Sequence, residues 1–143
     1  MTPATFTIRR IRQPATREVF RLIAQLNHKM DFALFRKRML AMARSNYFVL
    51  GAYEGKKLVG LTGCWIATKF YCGKYMEIDN FVVDEKLRGT GLGERIMRRA
   101  LAEARKRRCE SIVLNAYIWN EAAHRFYDRF DFKTIGKHRI IAL

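Results

Sequence analysis

Acidic residues are scarce in this chain of 143 residues: 13 Asp and Glu stand against 28 Lys and Arg, a formal charge of +15. A balance this basic repels free polycations and favours a polyanionic partner, whether nucleic acid, an acidic membrane surface or a highly phosphorylated cofactor. Cysteine is also sparse. Cys64, Cys72 and Cys109 form no CxxC pair and leave one thiol unmatched, so neither a disulfide framework nor a zinc site is expected. No apolar run approaches the roughly 20 residues of a membrane span. The stretch from Met1 to Ile11 carries arginines but no apolar core of a secretory signal. The expectation is a reduced, cytoplasmic protein with no membrane partner. Internal repeats and low-complexity linkers are missing too, which leaves a single domain over residues 1–143.

What the chain does contain is apolar bulk. Hydrophobic residues make up 50% and aromatics 13%, enough for a packed globule rather than a disordered tail. Phe6 to Ile11 alternates as a strand does, and two helical stretches follow, one carrying Val19, Phe20, Ile23, Ala24 and Leu26, the other Phe32, Phe35, Leu40 and Met42. Tyr47 to Tyr53 and Leu58 to Thr68 predict a hairpin closed at Glu54-Gly55-Lys56-Lys57, and Tyr75 to Val83 is the next strand. A helix from about Gly91 to Arg107 buries Leu92, Ile96, Ala100 and Ala104. A strand from Ser111 to Ala116 follows, then a helix capped by Asn120 and ending near Arg129. Phe132 to Leu143 reads as a closing pair of strands. Strand, glycine loop, helix and strand in the middle of the chain form a βαβ crossover, which needs parallel strands, whereas the hairpins need antiparallel ones. The fold class is therefore mixed α/β.

The segment Arg88-Gly89-Thr90-Gly91-Leu92-Gly93 joins a strand to a helix. Glycines there allow a tight turn and bring bare amides against a ligand, while the helix N-terminus and Arg88 add positive charge. Together they suit a pyrophosphate. The segment lacks the terminal Gly-Lys-Ser/Thr of a Walker A loop, and its GxGxG order in mid-chain is not the GxGxxG of a first Rossmann strand. An ordinary strand-to-helix turn with capping glycines is the alternative.

Arg88-x-x-Gly91-x-Gly93, following Phe81-Val82-Val83, resembles the R/Q-x-x-G-x-G/A motif of the GNAT superfamily of N-acetyltransferases. Downstream, Asn120-Glu121-Ala122-Ala123-His124-Arg125-Phe126-Tyr127 is similar to that superfamily's N-x-x-A-x-x-(F/L)-Y element, at a matching separation. The likeness is dense from Ile78 to Phe132, nearest to diamine-type and small bacterial enzymes, and before Lys74 it extends only to the order of elements. It implies a central mixed sheet of about six to seven strands flanked by four helices. It further implies that Phe81, Val82 and Val83 hold the acetyl carbonyl and pantetheine arm of acetyl-CoA. Arg88 and the amides of Gly89, Thr90, Gly91, Leu92, Gly93 and Glu94 would take the pyrophosphate, Asn120 would contact the cofactor arm, and Tyr127 would stand by the thioester sulfur. Two positions depart from the pattern: Glu85 replaces a common proline, and Asp131 replaces a glycine after the last helix, where a left-handed residue is tolerated by Asp better than by most.

Acetylating an alkyl amine of pKa about 10.4 at neutral pH requires a base and a proton donor for the leaving thiolate. Glu77 and Asp79 alternate on the strand entering the site and share a face. Asp79 aligns with an acidic residue of the diamine enzymes and is the favoured base, directly or through water, with Glu77 second. A carboxylate paired with one of the many arginines is the competing reading. Tyr127 would be the acid; the other reading is a core aromatic beside Phe126. His124 reads as a surface or packing residue. The arginines of the long helix, with Arg105-Lys106-Arg107-Arg108, read as a solvated face reaching in part to the 3′-phosphate of the cofactor, and docking to RNA, the ribosome or an acidic protein stays secondary. The expected activity is direct transfer of acetyl from acetyl-CoA to a primary amine of a small molecule or protein, without metal or acyl-enzyme, in a monomer or homodimer. The competing class is a non-catalytic CoA-binding or RNA-binding module on the same fold.

Overall fold

The computed structural model describes residues 5–26 and 29–143. The chain forms two compact units, residues 1–113 and 114–143. Strands β1 (Phe6–Ile11), β2 (Tyr47–Glu54), β3 (Lys57–Lys69), β4 (Gly73–Val83) and β5 (Ser111–Leu114) lie side by side in that order, all in the first unit save Leu114, the last residue of β5. The first four pair antiparallel. Glu110 donates its amide to the Lys74 carbonyl and the Ser111 hydroxyl bonds the Cys72 carbonyl, so β5 begins where β4 begins and runs parallel to it. That is the mixed sheet the crossover demands.

Helices cover both faces of the sheet. Helix α1 (Arg17–Ile23) starts at Thr16, whose hydroxyl accepts from the Val19 amide at 3.3 Å, and α2 (Phe32–Ala43) starts at Asp31, whose carboxylate accepts from Leu34 at 2.8 Å. Their apolar sides carry Val19, Leu22, Ile23, Phe35 and Met39 onto Tyr47, Val49, Leu61 and Val82. On the opposite face α3 (Leu92–Lys106) buries Leu92 and Ile96 against Ala52 and Val59. The result is three layers with the sheet in the middle. No helix among the described residues is long and apolar enough to cross a membrane.

In the second unit α4 (Glu121–Asp128) starts at Asn120, whose side chain accepts from Ala123 at 3.1 Å. Asp131 ends it with φ +65°, the left-handed conformation anticipated for that position. The expected closing strands over 132–143 are corrected: residues 132–143 carry no strand, and among the described residues the sheet has five strands rather than six or seven. A strand exists only through a ladder, and Gly136-Lys137-His138-Arg139 interrupts the alternation that would have bound one to a sheet. β5 also stops at Leu114, two residues short of expectation.

Candidate active site

The register of the β3–β4 hairpin changes where the site begins. Gly63 faces Asp79 but Leu61 faces Val82, so Asn80 and Phe81 together oppose Thr62 alone. This is a β-bulge in β4, and Asn80 takes a φ of +57° to make it. A bulge reverses the side-chain parity of the residues beyond it. Glu77, directly across from Trp65, and Asp79 point toward the α1–α2 layer, whereas Phe81 and Val83 pack on the α3 layer. The expectation that Glu77 and Asp79 share a face agrees with the register.

Both carboxylates are partly exposed. Among the described residues no arginine forms an ion pair with Asp79; its Oδ2 accepts from the Trp65 indole at 2.9 Å. The Trp65 ring leans on Tyr47, with centroids 4.7 Å apart. Tyr47 is only 3% exposed and extends over Gly63, where any Cβ would collide with its hydroxyl. That hydroxyl has no well-formed hydrogen bond among the described residues, and the Asn80 side chain is the polar group beside it. Burial pushes the phenol far above the ordinary tyrosine range; the neighbouring Asn80 side chain pulls the other way and the Asp79 charge adds to the rise. Trp65 and Tyr47 were not singled out from the sequence. Counting rungs outward from the three-residue turn Phe70-Tyr71-Cys72 would have paired Trp65 with Glu77 and Gly63 with Asp79.

Past the bulge, Asp84 fixes the approach to the glycine loop. Its carboxylate is met by Arg21 of α1 at 2.9 Å and by the Lys86 amide at 3.3 Å, and Arg21 also holds the Leu58 carbonyl. Burial alone would raise the Asp84 carboxyl, but the Arg21 and Lys86 hydrogen bonds and the Arg21 charge bring it below the usual range. A short 3-10 turn over Glu85–Leu87 follows, and Thr90 closes it with its hydroxyl on the Leu87 carbonyl. Gly89 and Gly91 then adopt φ +80° and +87°, and nothing lies within 4 Å of where a Cβ would stand on either. Gly91 is the N-cap of α3 and offers no side chain to its first amides. An uncapped N-terminus of a 15-residue helix, an open glycine surface and the exposed Arg88 together make a fitting anion cradle. Glu94 in the first turn directs its carboxylate to Arg98 at 2.8 Å.

Asn120 and Tyr127 lie in the second unit, the first as the N-cap of α4 and the second on the helix. The Tyr127 ring meets Phe126 at 5.5 Å and Phe132 at 5.9 Å, and burial raises its phenol above the ordinary tyrosine range, so the proton stays on at neutral pH. His124 reaches the Tyr117 carbonyl at 2.9 Å across the turn before α4, the packing role expected of it. Among the described residues no group of three metal-ligating side chains converges.

Comparison with known proteins matches this arrangement. Residues 7–132 match the Acetyltransferase (GNAT) family, a span that includes the bulge, the glycine loop and α4. Glucosamine 6-phosphate N-acetyltransferase 1 of rice, Oryza sativa subsp. japonica, is 34% identical over 87 residues, covering 57% of this chain and 53% of the rice protein. The chain thus spans about half the length of that relative. Among solved structures, glucosamine-6-phosphate N-acetyltransferase of Arabidopsis thaliana superposes with a TM-score of 0.74 at 22% identity, over 96% of this chain and 98% of that one. An acetyltransferase of Trypanosoma brucei gives 0.79 at 19%, over 97% and 100%. At these identities the structures speak for the fold, and the family match speaks for descent: the chain belongs to the GNAT family of acetyltransferases.

Proposed function

We propose that the protein transfers the acetyl group of acetyl-CoA directly to a primary amine, as one acetyltransferase domain over residues 1–143. The observation that carries this reading is the bulged strand that leads from Asp79 into an uncapped, glycine-lined helix N-terminus. Bound there, acetyl-CoA supplies an activated thioester; the chain supplies the rest. Arg88 and the amides from Gly89 to Glu94 hold the pyrophosphate, backbone groups of Phe81 to Val83 hold the acyl arm, and Asn120 steadies that arm. Asp79, oriented by Trp65, takes the proton that the incoming ammonium must lose, with Glu77 or water as substitute. The neutral amine nitrogen then bonds the acyl carbon, the carbon–sulfur bond breaks as Tyr127 gives its proton to the departing sulfur, and the second proton that the nitrogen sheds on becoming an amide restores the Tyr127 phenol. The free thiols of Cys64, Cys72 and Cys109 suit a reducing compartment such as the cytoplasm.

The acceptor is sought first among amines that a basic protein does not repel, with polycationic amines as the contrast. The rice relative acts, by its name, on glucosamine 6-phosphate, which combines an amine with an anion and stands first in a panel with an aminoglycoside, free amino acids, a peptide α-amine and spermidine. Release of free thiol from acetyl-CoA is the readout. Turnover above acetyl-CoA hydrolysis with at least one amine is expected. Tight acetyl-CoA binding with no turnover on any of them would instead support a non-catalytic CoA-binding module.

A further inference from the structure

The first unit carries a second organised surface, on the side of α3 that faces the edge strand β1. Arg95, Arg98 and Arg99 surround an open hollow of about 460 Å³ with Ile8 at its floor. Beyond it, Arg10 from β1 and Arg107 from the end of α3 lie over the ring of Phe48, at 5.2 and 4.2 Å. Five arginines thus share this strip with two carboxylates, Glu94 and Glu103.

Each of these arginines has a partner within the fold. Glu103 is buried on α3 and takes Arg99 at 2.8 Å and Arg107 at 2.9 Å. The Arg99 hydrogen bond holds its carboxyl below the usual range, burial opposes this, and Arg107 reinforces it. Arg95 stacks on Phe6 and donates to the Phe6 carbonyl at 3.2 Å. A merely solubilising face leaves its long side chains mobile; here each guanidinium is positioned by a ring, a carbonyl or a carboxylate. A guanidinium carries five N–H donors in a planar fork, which suits it to hold a carboxylate on one edge and a phosphate on another. Arg95 and Arg107 are twelve residues apart on α3, about 18 Å along the helix at roughly 1.5 Å per residue. Each phosphate of a strand carries one negative charge, so a strip of this length faces several of them at once. An acidic peptide would dock best by pairing with the β1 edge, but Arg95 already occupies an edge carbonyl there.

We propose that the β1–α3 strip is a binding surface for the phosphate backbone of a nucleic-acid strand, separate from the glycine loop. Recognition is of charge and spacing rather than of bases, since the aromatic rings lie beneath the guanidinium groups and not above them.

The test uses fluorescence anisotropy of a fluorescein-labelled 12-nucleotide oligouridylate between 50 and 200 mM salt. Two variants of equal charge loss are compared: Arg10→Ala/Arg95→Ala/Arg98→Ala in the strip, and Arg36→Ala/Lys37→Ala/Arg38→Ala on exposed α2 positions. The strip variant is expected to bind about tenfold or more weakly, and the α2 variant within about twofold of the parent. Arg98→Ala alone, at an exposed position, is expected to reduce the salt slope by about 0.7, which keeps the test informative should the triple variant melt early. Saturating acetyl-CoA should not displace the oligonucleotide, and polyglutamate of matched charge should compete poorly. Equal weakening in both triple variants would reduce the strip to net charge. Displacement by acetyl-CoA would assign the arginines to the cofactor's phosphates, and displacement by polyglutamate to an acidic polypeptide; each overturns the proposal.

Discussion

Replacing Tyr47 by phenylalanine deletes one buried oxygen atom that has no well-formed hydrogen bond among the described residues, with the Asn80 side chain beside it. A buried polar group left unpaired disfavours the native state by about 1–3 kcal/mol. The ring itself keeps its place, because its packing on Trp65 and its position in the α1–α2 core involve carbon atoms alone. Tyr47→Phe is therefore expected to stabilise the protein by about 1 kcal/mol, taking the low end because the Asn80 side chain is nearby. For a chain of this size that corresponds to a rise in Tm of about 2–4 °C. Alkaline unfolding supplies an independent measure. The buried phenol holds its proton more tightly than the phenol of the unfolded chain, which ionises near pH 10. Below that pH both states are protonated and pH has no effect through this group. Above it the unfolded state releases a proton that the native state keeps, and stability falls by up to about 1.4 kcal/mol per pH unit. The variant lacks this contribution, so the gap between it and the parent should widen as pH rises past 10. Thermal melts of both proteins from pH 7 to 11 decide the matter. A variant less stable than the parent at pH 7 would show that the hydroxyl has a partner after all, and a gap that stays constant with pH would show that burial does not hold its proton.

Other changes bear on the chemistry. Arg88→Ala is expected to weaken acetyl-CoA binding by about 10–100-fold, the loss of a charge-assisted contact, and Gly91→Val to do likewise by placing a branched side chain at φ +87°, with calorimetry as the readout and unchanged affinity in both as the refuting result. Asp79→Asn should lower kcat at pH 7 by about 10²-fold or more and recover partly in alkaline buffer, where more amine is already neutral; a larger loss in Glu77→Gln would move the role one rung along β4. Tyr127→Phe should reduce kcat by about 10²–10⁴-fold with acetyl-CoA affinity little changed, and turnover within twofold of the parent would leave the ring a packing residue only.

Much of the fold could be read because its signals are local. The turn glycines, the periodicity of α3 and the Asn120 cap are each set within a few residues, and the observed α3 and α4 differ from expectation only by their frayed ends. The closing strands could not be read in this way, since pairing depends on a partner and not on the segment's own pattern. The candidate site divides along the same line. Its glycine loop follows from contiguous residues, but Trp65 and Tyr47 join Asp79 through cross-strand register, and Asp84 joins Arg21 across 63 positions. The bulge was the hardest feature to anticipate. Asn80 in a left-handed conformation leaves no mark that separates it from a polar residue in an ordinary strand.

That bulge divides β4 into two addresses. Positions 75, 77 and 79 write to the α1–α2 layer, while 81 and 83 write to the α3 layer, and one residue of slack at Asn80 keeps the two scripts apart. In an unbroken strand every second residue would serve the same layer, and a change before the loop would be felt on the loop's own side. Here substitutions at 77 and 79 can remodel one layer while the residues that lead into the glycine loop keep their packing. Deleting Asn80 would merge the scripts and turn Phe81 and Val83 toward the wrong layer.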